Sequence, residues 1–172
     1  MAKDEKARLV TGLFKSRVAA EAAVDAIIKR SYSRDDLGVL MSDATRHKEF
    51  AVETRTHAAD GAGIGGAVGG TVGAVLAAIV AATATITFPP LGGLVIAGPI
   101  AAALAGAGAG AATGGLIGAL VGAGIPEHRA RVYDAGLRSG GILLGVEAKT
   151  DEEADYIEKL LNDLGAEHIR QE

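Results

Sequence analysis

The sequence predicts an α+β protein: two charged βαβ halves flanking a long, glycine-notched helical hairpin. Three observations predict it. Asp60 is followed by 66 residues without Asp, Glu, Lys, Arg or His before Glu127, so every ionisable group lies in 1–60 or 127–172. Each charged flank carries apolar runs of strand length separated by a stretch with helical apolar spacing. Glycine recurs at every fourth position twice within the uncharged run, at Gly61, Gly65, Gly69 and Gly73 and again at Gly106, Gly110, Gly114, Gly118 and Gly122. The chain therefore divides into segments 1–60, 61–125 and 126–172.

The first flank opens with a strand, LVTGLF (9–14). SRVAAEAAVDAIIKR (16–30) follows as a helix, with apolar Val18, Ala22, Ile27 and Ile28 near helical spacing and Lys29 and Arg30 in its last turn. SYSRDD is a turn, and Asp35 and Asp36 read as turn chemistry. LGVLM (37–41) is a second strand. EFAVETRT (49–56) alternates Phe50, Val52 and Thr54 with Glu49, Glu53 and Arg55, and reads as a strand or an amphipathic connector.

The second flank mirrors the first. Pro126 suits the first position of a helix, and PEHRARVYDAGLRSG (126–140) ends near Gly140 and Gly141. ILLGVEA (142–148) is a strand. Thr150 and Glu153 form a capping box for the helix DEEADYIEKLLNDL, which Gly165 closes. AEHIRQ (166–171) is the last strand. Two such units side by side predict a four-stranded sheet with helices on one face, the ferredoxin-like split βαβ arrangement.

The uncharged segment predicts two helices, about 61–87 and 97–124, joined by a turn over 88–94 that contains Pro89, Pro90, Gly92 and Gly93. Pro99 fits an early position of the second helix. Glycine inside a helix costs roughly 0.5–1 kcal/mol against alanine. Small residues four apart offset that cost by letting two backbones approach closely. The hairpin sets the 61–73 stripe opposite the 106–122 stripe, and both stripes are expected to form a helix-packing interface. Each helix would be about 40 Å long, more than the roughly 30 Å hydrocarbon core of a bilayer. Arg46, Lys48 and Arg55 precede the pair and Arg129, Arg131 and Arg138 follow it, while the turn has no charge. The expectation is a span of the cytoplasmic membrane with both termini cytoplasmic and a lipid bilayer as partner. Glycine and alanine are weak membrane residues, and no aromatic belt is present. The alternative is a cytoplasmic soluble assembly whose hairpins bury one another, and a third possibility is a low-complexity linker. In the first two, the partner is a second copy of the chain, because a monomer in water would expose too much apolar surface.

Little in the chain resembles reaction chemistry. Cysteine is absent, which excludes disulfides, thiolate metal sites and thiol catalysis. The net charge of −4 carries no nucleic-acid footprint. The charged start MAKDEKARLV lacks the apolar core of a secretory signal. His47, His57, His128 and His168 are scattered without metal-ligand spacing. Asp151, Glu152, Glu153 and Asp155 suit a helix start, and Glu127, His128 and Arg129 beside Tyr133 read as ordinary helix-start residues. Gly61, Gly63 and Gly66 match GxGxxG formally, but no apolar strand precedes them and no acidic residue follows about 20 positions on. Ser139, Gly140 and Gly141 read as a helix stop rather than an anion-binding turn. No catalytic residue, cofactor or metal is expected.

LVTGLFKSRVAAEAAVDAIIKRSYSRDDLGVL resembles the opening of the bacterial general stress protein 17M-like family, which includes heat-induced stress proteins. GIPEHRARVYDAGLRSGGILLGVEAKTDEEADYIEKLLNDLGAEHI resembles its close, most specifically through GIPE…Y…GLRSGGILLGV. The resemblance covers roughly 8–41 and 61–170. It implies a stress-linked, membrane-associated bacterial protein without an established enzymatic activity, and it supplies no catalytic residues. The expected function is therefore a non-enzymatic, stress-associated protein whose hairpin drives membrane insertion and homo-oligomerisation. The alternative is a soluble homo-oligomeric module that binds or senses a small ligand, with the hairpins buried in the assembly.

Overall fold

A computed structural model describes residues 8–56, 74–88, 92–106 and 109–171. Its centre is a six-stranded antiparallel sheet between two helical layers. In chain order the elements are β1 (Arg8–Phe14), α1 (Arg17–Ile28), a single 3₁₀ turn (Arg34–Asp36), β2 (Leu37–Ser42), α2 (Asp43–Thr56), α3 (Ala74–Ala81), β3 (Ala84–Phe88), β4 (Gly92–Ala97), α4 (Gly98–Gly106), α5 (Ala109–Gly122), α6 (Glu127–Arg138), β5 (Ile142–Ala148), α7 (Asp151–Asp163) and β6 (Glu167–Gln171). The strand order is β3-β4-β2-β5-β1-β6.

Most strands and helices of the charged flanks lie where the sequence predicts, but the sheet has six strands rather than four, and α6 packs on the face opposite α1 and α7, so the flank helices do not share one face. Ser16 caps α1, its hydroxyl accepting the Ala19 N–H at 3.3 Å. Thr150 caps α7 by accepting the Glu153 N–H at 3.1 Å, and Glu153 reaches back to the Lys149 N–H at 2.8 Å, one residue beyond the expected box. Gly140 (φ 92°) and Gly165 (φ 86°) close α6 and α7 in the left-handed conformation. β1 lies between β5 and β6, with seven consecutive pairs to β5 from Arg8 opposite Ala148 to Phe14 opposite Ile142.

Strand alternation assigns the two faces. Val10 and Phe14 of β1, Val39 and Met41 of β2, and Leu144 and Val146 of β5 pack with Ala23, Val24 and Ile27 of α1 and Ile157 and Leu161 of α7. Leu76, Ile79 and Val80 of α3 and Phe50 of α2 extend this layer. Leu13, Leu40 and Leu143 point the other way, into Ile100 and Leu104 of α4, Leu116 and Leu120 of α5, and Tyr133 and Leu137 of α6. Both faces are covered, so β2 and β5 read as nearly continuous apolar runs rather than alternating ones.

Two further expectations are corrected. The stretch 49–56, expected as a strand or an amphipathic connector, completes α2, whose start is fixed by the Ser42 hydroxyl accepting the Thr45 N–H at 3.1 Å. Of the predicted helices 61–87 and 97–124, residues 61–73 lie outside the described residues, and the described remainder forms shorter pieces. Residues 84–88 and 92–97 form a β-hairpin, β4 pairing with β2 from Val39 opposite Ala97 to Ser42 opposite Leu94. Thr85, Ile86, Thr87, Val95 and Ile96 are β-branched, and they win over helix once the edge of β2 can receive them. Of the predicted turn over 88–94, Phe88 ends β3 and Gly92, Gly93 and Leu94 begin β4, while 89–91 lie outside the described residues. The second helix is broken into α4 and α5, and α5 itself bends at Gly115 (φ 58°, ψ −144°). Among the described residues no helix is long and apolar enough to cross a membrane.

Candidate interaction surface

The uncharged segment presents an inner side and an outer side, and glycine builds the inner one. Gly98 has φ 66°, which suits glycine, and it lies against the backbone of Leu37; a Cβ there would overlap the Leu37 carbonyl oxygen. Gly38 of β2 and Gly145 of β5 leave a hollow in the sheet that Ile100 fills. A Cβ on Gly38 would come within 3.0 Å of Ile100 Cγ1, and one on Gly145 within 2.8 Å of the same side chain. Gly38, Gly98 and Gly145 thus seat α4 on the sheet. Sequence spacing did not single them out. The available signal was a lone glycine inside each of two apolar strands, LGVLM and ILLGVEA, which marks close approach of another chain segment.

The predicted packing stripe is only partly located. Gly61, Gly65, Gly69 and Gly73 lie outside the described residues, as do Pro89 and Pro90. Gly110 and Gly118 do meet backbone to backbone, since a Cβ on either would overlap the other's carbonyl group. These two glycines thus approach each other within α5, across the bend at Gly115. Among the described residues, no atom lies within 4 Å of where a Cβ on Gly106 or Gly114 would sit. Gly122 ends α5. Gly92 has φ 84° and open space around it, and Gly93 sits beside the Asp43 and Thr85 side chains.

On the outer side, β3 is a sheet edge. Ala84, Thr85, Ile86 and Thr87 are all exposed, Ile86 by 41%. Thr85 lies opposite Val95, and Ile86 opposite Leu94, so these exposed residues belong to both faces of the sheet. Among the described residues no strand pairs with the outer edge of β3. Val121, near the end of α5, is a second exposed aliphatic at 42%.

The opposite edge, β6, is built differently. Its pairing with β1 shifts register between Thr11 and Leu13, and His168 sits at φ 54°. The Tyr133 hydroxyl donates to the His168 carbonyl at 2.8 Å and receives the Thr11 hydroxyl at 2.9 Å, pinning the irregularity. Lys15 pairs with Glu167 at 2.7 Å and holds that carboxyl below its ordinary range. Gln171 donates to Asp155 at 2.7 Å and Glu158 at 2.8 Å. Charge and a bulge are the usual protections of an edge strand, and β3 has neither.

The polar groups elsewhere act as clamps. Arg17 bonds Glu21 and the Glu49 carbonyl and lies over the Phe50 ring, tying α2 to α1. Arg30 lies 4.2 Å from the Tyr156 ring centroid, tying α1 to α7. Burial first, and the Glu153 carboxylate second, push the Tyr32 phenol up to about 12. His47 pairs with Asp43 at 3.3 Å on the exposed start of α2, and His57 lies outside the described residues. An open groove of about 530 Å³ between α7 and β6 is lined by Asp155, Glu158, Lys159 and His168, and Gln171 already occupies two of its carboxylates. Among the described residues no three His, Asp or Glu side chains come together as metal ligands. Comparison with protein-family models, curated proteins and solved structures finds no match for this chain.

Proposed function

We propose that this chain is a non-enzymatic, self-associating protein whose uncharged segment supplies the contacts between copies. The observation that carries this is the charge map laid on the fold. Residues 61–126 have no ionisable group, and after α4 and α5 have packed on their own sheet, β3 and Val121 remain outward and apolar or neutral. The four flank strands, in the order β2-β5-β1-β6 with α1 and α7 on one face, support reading them as a ferredoxin-like module; α4 to α6 then cover its second face. Where such modules hold small ligands between subunits, they need an open sheet face, and this cover disfavours that alternative. The association with stress rests on the resemblance of the two flanks to the general stress protein 17M-like family.

Sedimentation velocity of the full chain over a wide concentration range tests the proposal. The expected result is a distribution that moves to larger species with concentration. A monomer throughout would overturn it. Flotation of the chain with anionic vesicles, without self-association in their absence, would transfer the role of the segment to lipid.

A further inference from the structure

We infer that two copies pair through β3, edge to edge and antiparallel, with the two-fold axis at Ile86. This rests on the self-association proposed above and assigns its contact. Identical strands that add side by side about a two-fold axis normal to the sheet must run antiparallel. With Ile86 on the axis, Ile86 lies opposite its copy and Thr85 lies opposite Thr87 of the second copy. The sequence Thr85-Ile86-Thr87 is the same read in either direction, so it is self-complementary in this register. The two isoleucines then share the face of Leu94, and the threonine pairs share the face of Val95. Cross-strand pairs of β-branched residues and Thr–Thr pairs stabilise a sheet.

The occupant is fixed by charge and by room. The protein carries a net charge of −4, yet the segment from α3 through α5 contributes none of it, so two β3 edges meet without like-charge repulsion. Ala84, Thr85, Ile86 and Thr87 are all exposed, and among the described residues no strand pairs with the outer edge of β3, where a strand of a second copy would add. β6 cannot serve the same purpose, because Glu167, His168 and Arg170 line it and its register is interrupted. A five-residue ladder is ~17 Å long at ~3.4 Å per residue. It covers less than the ~800 Å² per partner of long-lived complexes, so the dimer is reversible and concentration dependent.

The absence of cysteine makes the test direct. Residues directly opposite in antiparallel strands have Cα atoms ~4.5–5.5 Å apart, inside the ~4.4–6.8 Å range a disulfide accepts. Under mild oxidation, Ile86→Cys in the full chain should form a covalent dimer at least tenfold faster than Val18→Cys, which places a thiol on the more exposed outer side of α1. Ile86→Lys, at an exposed position that leaves the circular dichroism unchanged, should weaken self-association at least tenfold by sedimentation. If the parent self-associates while Ile86→Lys behaves identically and Ile86→Cys cross-links no faster than Val18→Cys, the β3 contact is wrong and the self-association stands. A parent that remains monomeric at every concentration overturns both.

Discussion

At the scale of single residues, Gly98 carries the sharpest demand in the molecule. Its φ of 66° strains any L side chain, and a Cβ would strike the Leu37 carbonyl, which belongs to a central strand and cannot move aside. Gly98→Ala is expected to cost about 3 kcal/mol, the sum of a left-handed penalty and overpacking against backbone, read as a lower urea midpoint. Gly136→Ala should cost less: its Cβ would meet the flexible end of Leu13, and alanine restores helix propensity. Tyr32 makes a prediction about pH. Its folded-state pKa of about 12 lies above the model-compound value of 10.0, so the folded chain holds this proton more tightly than the unfolded one. The resulting stability is complete below pH 10 and is lost as pH rises toward 12. Tyr32→Phe should flatten the alkaline limb of the stability profile across that window. Of these positions, Gly98 was visible only as the residue before Pro99, since a left-handed φ leaves no periodic trace.

At the scale of elements, legibility follows charge. α1, α6, α7 and the four flank strands were readable because charged residues mark one side of each helix and signals such as Thr150 and Pro126 mark helix starts. Between Asp60 and Glu127 that contrast disappears, and glycine spacing was the remaining signal. The four-residue period predicted packing against the 61–73 stripe, which lies outside the described residues, whereas Gly110 and Gly118 approach each other. It could not reveal the bend at Gly115 that makes them partners of each other. Likewise Pro89 and Pro90 marked a reversal, but the β-branched Thr85, Ile86 and Thr87 before it were absorbed into a helix. α4 supplies the element-scale prediction. Ile100 is 3% exposed and fills the hollow above Gly38 and Gly145. Ile100→Ala should therefore destabilise the fold by about 2–5 kcal/mol in chemical denaturation, whereas Val121→Ala on the outer surface should be near neutral.

At the scale of the molecule, the candidate surface was legible in outline and not in detail. A 66-residue run without charge announces apolar burial, and much of that burial proved to be against the protein's own sheet, through Leu104, Leu116 and Leu120. What remains for a partner is a strand edge, which no spacing of glycines encodes. Self-association through such a surface is expected to depend little on ionic strength, because no ion pair crosses it and only the mild repulsion between two copies at −4 is left to screen. Sedimentation profiles should superimpose from low salt to about 1 M, where the Debye length falls to about 3 Å. A marked salt dependence would assign the contact to the charged flanks instead.

The route of the chain has a cost in time. β1 and β2 are separated in the sheet by β5, yet Ser42 and Ile142 stand on opposite sides of the whole inserted segment. On a ribosome adding ~5–20 residues per second, the strand that must slot between them emerges about 5–20 s after β2. Throughout that interval the facing sides of two apolar strands lack their native neighbour, so β1 and β2 are open to wrong pairings until the central strand arrives. A nascent chain of this design has reason to depend on chaperones during synthesis, and most of all under heat.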